Sequence, residues 1–537
     1  MKKKLLWSVA AIAVVGGFVV GMPNLGLLDD DGDKDGKADA ADMATTAAGL
    51  DQVKVPPVEW GKCPAAPDGF QVDPGQTCGT VSVPLDYRHP EGRKIEIAVS
   101  RIAATDKAKR RGVLLLNPGG PGNEGLNQPS LFDQTASKAE KAAYDRIGFD
   151  PRGVGHSTPV TCGLDPDETM PPYPYPDKDG SIDKNVAHAK DAAQRCAKNS
   201  GDLLPYITTA NTARDMDLVR RALGEEKISY WGNSYGTYLG AAYATLFPGH
   251  TDRMTLDSAV DPEKIWYGVF SQQSKGVAVR FPDVAAYAAQ HQDEVGFGAT
   301  PEAVTTAYTE LLGRLDDKAL TVPGAAVKLD GNILRYLTSS LLTADQQFPM
   351  LTQVWRATAD LADGKATDEE TAALQQILVL ASPSANTSPG VPEDNAIAAA
   401  YAVACDDVSW PKDVKVYERN VARDRAQYPL TAGSQADIWP CAFWADKPVE
   451  KPVEITDKGR HNILILQNER DPNATLDSGK GMHKALGKRS TMVTVEAGGH
   501  GVYGNPGAGE CASKLADAYM VDGKLPAHDT HCAAPAE

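Results

Sequence analysis

The residues that most narrow the fold of this chain are Gly232-Asn233-Ser234-Tyr235-Gly236, because of what stands on either side of them. Lys227 to Trp231 reads as a strand, and Tyr238 to Phe247 (YLGAAYATLF) is helix-like. In G-x-S-x-G between a strand and a helix, small flanking residues let the chain turn sharply and push the serine hydroxyl out of the sheet. The pentapeptide alone is a weak signal; the strand before it and the helix after it give it weight.

The surrounding sequence alternates in the same way. Val113 to Leu116 opens VLLLNPGGPGNEG, a buried-strand run that stops at a Gly/Pro-rich loop, and Arg146 to Phe149 stops at Asp150-Pro151-Arg152-Gly153. Met216, Val219 and Leu223 recur at helical spacing within Thr212 to Leu223, Arg253 to Leu256 reads as a strand, and Asp257 to Pro262 (DSAVDP) as a turn. From about Glu263 to Trp439 the pattern changes to Ala-, Leu- and Gln-rich helical stretches. Alternation returns at Asn462 to Leu466 (NILIL) and Thr491 to Val495 (TMVTV). Strands joined through helices require crossovers, so the predicted architecture is α/β: an open, mostly parallel sheet with helices on both faces and a mainly helical cap inserted into it. The expected division is 1–45 for a signal and acidic linker or pro-segment, 46–262 and 446–537 for the α/β core, and 263–445 for the cap.

A chain of 537 residues that is 42% hydrophobic and 23% charged has enough apolar material for a packed core, which excludes a disordered or collagen-like protein. Its formal charge of −17 would repel a phosphate backbone, so nucleic acid is not an expected partner. The basic cluster Lys107 to Arg111 (KAKRR) reads as a solvated loop.

Lys2, Lys3 and Lys4 precede the largely apolar stretch Leu5 to Val20, the charged and apolar regions of an export signal that is short for a bilayer span. A secreted or cell-surface protein with no stable membrane insertion after cleavage is expected; Ala38-Asp39-Ala40 is one possible cleavage site. Asp31, Asp33, Asp35 and Gly36 mimic the start of a calcium loop with Asp42 at its twelfth position, but no amphipathic helices flank them, so a solvated linker is preferred. Eight cysteines without C-x-x-C spacing agree with export and predict disulfides. They allow about a hundred connectivities, of which pairing of sequence neighbours gives Cys63–Cys78, Cys162–Cys196, Cys405–Cys441 and Cys511–Cys532, each stabilising by about 3 kcal/mol in the chain-entropy view.

A serine is not nucleophilic at neutral pH and needs a base, which in turn needs an orienting carboxylate. The second late strand ends at Ala497-Gly498-Gly499-His500-Gly501, whose glycines would let an imidazole swing over Ser234, so His500 is the expected base. His483 is its nearest rival but falls in a helix-like stretch, Met482 to Leu486. The first late strand runs into Glu469-Arg470-Asp471-Pro472, and Asp471 is preferred over Glu469 because the proline behind it fixes the turn. The resulting order Ser, Asp, His is that of α/β-hydrolases. An oxyanion would be met by the backbone N–H of Tyr235 and by that of Gly119 or Gly120 in Asn117-Pro118-Gly119-Gly120-Pro121-Gly122. Neither a metal nor a cofactor is expected: H-E-x-x-H does not occur, and His528-Asp529-Thr530-His531-Cys532 reads as a polar tail with a bonded cysteine.

Taken together these residues resemble the secreted tripeptidyl aminopeptidases of actinobacteria, α/β-hydrolases related to prolyl iminopeptidases. The resemblance runs from about Trp60 to Cys532 through VPLDY at Val83, RRGVLLLNPGGPG at Arg110, DPRGVGHS at Asp150, GNSYGTYLG at Gly232, DSAVDP followed by Trp266-Tyr267, Cys405-Asp406-Asp407, the Trp439 to Trp444 block, NERDP at Asn468 and GGHGVYG at Gly498. It implies Ser234 as nucleophile, Asp471 as orienting acid and His500 as base, and release of short peptides from an unblocked N-terminus beneath a helical cap. The loop Asn123-Glu124-Gly125 and the segment Asn473-Ala474-Thr475 depart from the family's usual residues and bear on the oxyanion-side pocket and substrate preference. Peptides with a free N-terminus are the expected partners, and a monomer the expected state. Recognition of a terminal ammonium calls for buried carboxylates, for which Asp406 and Asp407 are candidates, although acids beside a disulfide serve structure equally well. A carboxylesterase or lipase would use the same triad, and a non-catalytic binding protein on this scaffold would not need all three side chains.

Overall fold

The computed structural model describes residue 50 and residues 53–534 apart from 68, 166–167, 170–173, 326 and 382–386. The export-signal segment and the Asp31 to Asp42 loop lie outside the described residues.

Nine strands form one sheet: β1 (Thr77–Pro84), β2 (Lys94–Ile102), β3 (Gly112–Asn117), β4 (Tyr144–Phe149), β5 (Ile228–Asn233), β6 (Thr251–Asp257), β7 (Ile463–Arg470), β8 (Ser490–Gly498) and β9 (Thr530–Cys532). Their spatial order is β1-β2-β4-β3-β5-β6-β7-β8-β9, with β2 antiparallel to both its neighbours and every other pairing parallel. The apolar runs of the sequence become the central strands because these are covered on both faces. Side chains alternate across the sheet: Leu114, Leu116, Leu464, Leu466, Val493 and Val495 enter one core, whereas Val113, Leu115, Ile463, Ile465 and Met492 enter the other. The first core is closed by Phe132 and by Ala512, Ala516, Tyr519 and Met520 of the helix Glu510–Asp522. The second is closed by the helices Thr209–Ala222, Tyr235–Leu246 and Leu476–Leu486. Each fully buried Leu or Ile contributes about 1.5–3 kcal/mol, so a strand such as β3, buried along its whole length, is fixed in register by its core contacts.

Three strands go beyond the alternation read from the sequence. β1 and β2 form an antiparallel edge, and Thr530–Cys532, expected to belong to a polar tail, pairs with β8 through Val493, Thr494 and Val495. Between β6 and β7 the chain is helical, with main helices Gln273–Gln290, Pro301–Asp317, Gly331–Leu341, Phe348–Ala362, Asp368–Leu380, Asn395–Asp407 and Val414–Gln427. A further helix, Asp183–Ser200, from between β4 and β5, joins this layer: Asn185 Nδ2 donates to Asp437 Oδ2 at 2.7 Å, while the Asp394 carboxylate accepts from Thr161 Oγ1 and the N–H groups of Cys162 and Leu164. Disulfides join Cys63 to Cys78, Cys162 to Cys196, Cys405 to Cys441 and Cys511 to Cys532, each cysteine bonded to its neighbour in the order of the chain.

Candidate active site

Ser234 sits where β5 turns into the helix Tyr235–Leu246, with φ 56° and ψ −123°. A non-glycine residue at such a positive φ costs about 1–3 kcal/mol and persists only where its surroundings hold it. They do so here through the Ser234 N–H, which donates to the Asp257 carbonyl at 3.0 Å, and the Ser234 carbonyl, which accepts from Thr237 N. The flanking glycines are sterically required. A Cβ at Gly232 would lie 2.5 Å from the Gly236 carbonyl oxygen, and one at Gly236 would lie 2.8 Å from Asn117 Oδ1. Tyr230 Oη donates to the Gly236 carbonyl at 2.7 Å and supports the turn from beneath.

Asp471 and His500 leave the ends of the adjacent strands β7 and β8. His500 Nδ1 lies 3.0 Å from both carboxylate oxygens of Asp471, and Asp471 Oδ1 also accepts the N–H groups of Asn473 and Ala474 at 2.7 and 2.9 Å. A carboxylate can only accept, so the imidazole proton sits on Nδ1 and leaves the Nε2 lone pair free. The side chains of His500 and Asp471 are 2% and 0% exposed. Burial alone would push the imidazole pKa down. The Asp471 charge, the hydrogen bond to it and the Asp257 charge outweigh burial and hold that pKa above its ordinary 6.5. Ser234 Oγ and His500 Nε2 are both buried, and neither has a hydrogen-bond partner. For His500 to act as base toward Ser234 these two atoms would have to meet; they are not bonded in the resting geometry, and such bonds commonly tighten only with substrate in place.

The two rivals named from the sequence are engaged elsewhere. Glu469 pairs with His531 at 3.5 Å, and His483 lies between Ser490 Oγ at 2.8 Å and Asp529 at 3.1 Å. The Pro-Gly-Gly loop packs directly on the elbow: a Cβ at Gly119 would lie 3.0 Å from Ser234 Cβ and 3.2 Å from Tyr235 N. Gly119 and Gly120 have φ of 92° and 109°, a region that L side chains rarely adopt. The Gly119 N–H already donates to Asn117 Oδ1 at 3.0 Å, so of the two glycines expected to face an oxyanion, Gly119 is engaged by its own loop. The loop is anchored on the far side by Gly122, whose Cβ would lie 2.2 Å from the Ala396 carbonyl, and by Glu124, which accepts from Ser388 N at 2.9 Å.

Asp406 and Asp407, weighed as ammonium ligands, are bonded to neutral donors. Asp407 accepts Thr209 N, Thr209 Oγ1 and Trp266 Nε1 at 2.7, 2.6 and 2.9 Å, and both oxygens of Asp406 lie 3.1 Å from Trp444 Nε1. Burial, against these hydrogen bonds, pushes the Asp407 carboxyl up to about 6. Both acids thus tie the helix Asn395–Asp407 to Thr209, Trp266 and Trp444.

Sequence reasoning missed Asp257, read only as part of a turn. Its carbonyl receives the Ser234 N–H, and its carboxylate receives the N–H groups of Val502 and Tyr503 at 2.8 and 2.9 Å. Its neighbour Ser258 accepts from Gly501 N at 2.8 Å. Burial pushes the Asp257 carboxyl up to about 6 despite those two N–H groups. One strand end thus ties the serine turn to the loop just past His500. The sequence signal was an acid at the C-terminal end of a strand in an α/β sheet, where functional groups gather.

Comparison with known proteins places this geometry in a lineage. Residues 428–532 match the family model described as "TAP-like protein". The chain is 35% identical over 491 residues to the tripeptidyl aminopeptidase of Streptomyces lividans, covering 89% of this chain and 86% of that protein. It is 29% identical to the serine protease Hip1 of Mycobacterium tuberculosis over 89% of this chain and 91% of that one. It is 30% identical to a Mycobacterium tuberculosis protein named carboxylesterase B over 85% and 86% of the two chains. With an α/β-hydrolase sheet, a serine in a strained strand-to-helix turn and a relative of this kind matched over most of both chains, the chain belongs to the tripeptidyl aminopeptidase family and is a serine hydrolase.

Proposed function

We propose that the protein is a secreted serine exopeptidase that releases short peptides, tripeptides in the first instance, from substrates with an unblocked N-terminus. Ser234 Oγ attacks the scissile carbonyl while His500 Nε2 takes its proton; Asp471 keeps the imidazole in the tautomer that can do so and balances the imidazolium. The tetrahedral oxyanion is met by the N–H groups of Tyr235 and Gly120. His500 then returns the proton to the leaving amine, and water hydrolyses the acyl-enzyme by the same route. The observation that carries this reading is the 35% identity to a tripeptidyl aminopeptidase along nearly the whole chain, coupled with the buried Asp471–His500 pair beside a serine elbow.

Residues 263–445 act in this reading as a cap over the site, set into an α/β core made of 46–262 and 446–537, and the chain works as a monomer. Export is supported by the four disulfides, which persist in oxidising compartments. No helix among the described residues is long and apolar enough to cross a membrane.

The relative named carboxylesterase B favours a second reading, ester hydrolysis by the same residues. Mass spectrometry of products from an unblocked decapeptide tests the first: a ladder stepping by three residues from the N-terminus, lost on N-acetylation, is expected. Intact peptide beside rapid turnover of a simple acyl ester would replace it with the second.

A further inference from the structure

The loop that carries His500 is held by the helical segment between β6 and β7 as well as by the sheet. The His500 N–H donates to the Thr343 carbonyl at 2.8 Å, and a Cβ at Gly499 would lie 2.6 Å from that same oxygen. Thr343 follows Leu342, the last turn of the helix Gly331–Leu341, and the Leu342 carbonyl accepts from Arg280 Nε at 3.0 Å. Arg280 belongs to the helix Gln273–Gln290, is 1% exposed and lies 4.7 Å from the centre of the Phe348 ring. Its two terminal nitrogens pair with Asp283 and Asp345.

The same guanidinium is pressed against the strand end from which His500 departs: a Cβ at Gly498 would lie 1.9 Å from Arg280 Nη1. Gly498 stands opposite Arg470 in the β7–β8 register, and the Gly499 N–H donates to the Arg470 carbonyl at 3.3 Å. Arg470, which directly precedes Asp471, donates through Nε to Asp283 Oδ2 at 2.9 Å, the oxygen that also pairs with Arg280. The loops of the base and of the acid are therefore gathered on one guanidinium–carboxylate bridge outside the α/β core.

We propose that Arg280, acting through Asp283 and the Leu342–Thr343 turn, is a positioning residue that sets the reach of His500 toward Ser234, so that the helical segment holds the catalytic base in place as well as covering the site. This rests on the reading of Ser234, Asp471 and His500 as a triad. A planar fork is needed to reach the Leu342 carbonyl, Asp283 and Asp345 at once, and a lysine ammonium cannot do so. A displacement of about 1 Å in a catalytic group costs up to about a hundredfold in rate.

The test uses the full chain and a small alkyl fluorophosphonate, whose reaction with Ser234 needs the base but no peptide pocket. R280K and D283N are each expected to label about tenfold or more slowly than the wild type while remaining folded by near-ultraviolet circular dichroism, and to lower kcat on peptide with KM within about twofold. R314M is the control: it removes an exposed ion pair to Asp363 in the same helical segment and should label at the wild-type rate. Folded R280K and D283N that label at the wild-type rate, even with a lowered Tm, would overturn the proposal. Should R280K not fold, D283N decides alone by the same criterion. A wild-type protein that resists labelling, or an H500A variant that labels as fast as wild type, would overturn the triad reading itself and this proposal with it. Loss of peptide cleavage alone, with labelling as expected, would count against the exopeptidase and leave the positioning role standing.

Discussion

Replacing Asp471 by asparagine keeps its shape and removes its charge, and the hydrogen bonds around it dictate how the site must rearrange. Oδ1 of Asp471 receives two backbone N–H groups, from Asn473 and Ala474, as well as lying 3.0 Å from His500 Nδ1. In D471N the amide oxygen must keep the position facing those two N–H groups, because an NH2 group there would confront two donors and leave them unsatisfied in a buried site. The NH2 group then faces His500 Nδ1. Although Oδ1 stays within reach of Nδ1, a proton kept there would confront the NH2 group, so the acceptor form of Nδ1 is favoured and the imidazole proton moves to Nε2, the atom that receives the Ser234 proton in the proposed triad. With the wrong tautomer imposed, kcat should fall by about 10⁴, a barrier increase of about 5.5 kcal/mol. KM should change little, because Asp471 is buried and does not touch substrate. Stability should change little, because the two backbone bonds survive. The assay is kcat and KM on a chromogenic tripeptide amide, with thermal melts of both proteins. Retention of activity within about tenfold in folded D471N would refute the tautomer argument and the assignment of Asp471.

His500 must be neutral to act as base, so kcat/KM should fall as pH drops through a midpoint above 6.5; its raised pKa also means that protonated His500 stabilises the fold at low pH, a contribution lost as pH rises through that midpoint. Glu140 and Asp437, both pushed by burial up to about 8, and Asp257 and Asp424, up to about 6, bind protons more tightly folded than unfolded. Their effect is to lower stability as pH climbs from about 4 to about 8, so Tm in a melting series should rise by a few degrees between pH 8 and pH 5.5, and a flat or opposite profile would contradict it. G122A places a methyl 2.2 Å from the Ala396 carbonyl at a φ of 98°, and should destabilise by about 2 kcal/mol or more in urea titration while slowing acylation through the displaced Pro-Gly-Gly loop. Replacing both Cys405 and Cys441 by serine opens a loop closed across a sequence separation of 36 and should cost about 3–4 kcal/mol by the same titration.

The parts of the fold legible in the sequence were those in which burial leaves a continuous apolar record. β3 and β7 are buried along their apolar stretches and read as unbroken runs, and the turns after β3 and β5 carry glycines for steric reasons visible in the structure. β1 (TCGTVSVP) lies at the sheet edge with one side toward solvent, so its apolar residues are interrupted by Thr, Gly and Ser, as in a loop. β9 is three residues long and draws its place from pairing with β8 and from Cys511–Cys532. At the candidate site, the turn at Ser234 and the pairing of Asp471 with His500 were legible because each residue stands at the end of a recognisable strand. The engagement of Gly119 by Asn117, the double role of Asp257 and the hold of Thr343 on His500 were not, since each is a contact between segments that no local pattern joins.

Cys405, Asp406 and Asp407 occupy one helical turn, and besides Thr209 of the helix before β5 their partners come from opposite ends of the excursion between β6 and β7: Trp266 where the chain leaves the sheet, Cys441 and Trp444 as it prepares to return. The excursion thus closes on itself before rejoining the sheet, like a bag drawn shut at the neck. Such a neck adds a second tie between the two ends of the excursion to the direct pairing of β6 with β7. The sheet sets the register of the strand ends, and the three knots at 405–407 gather the chain just above them.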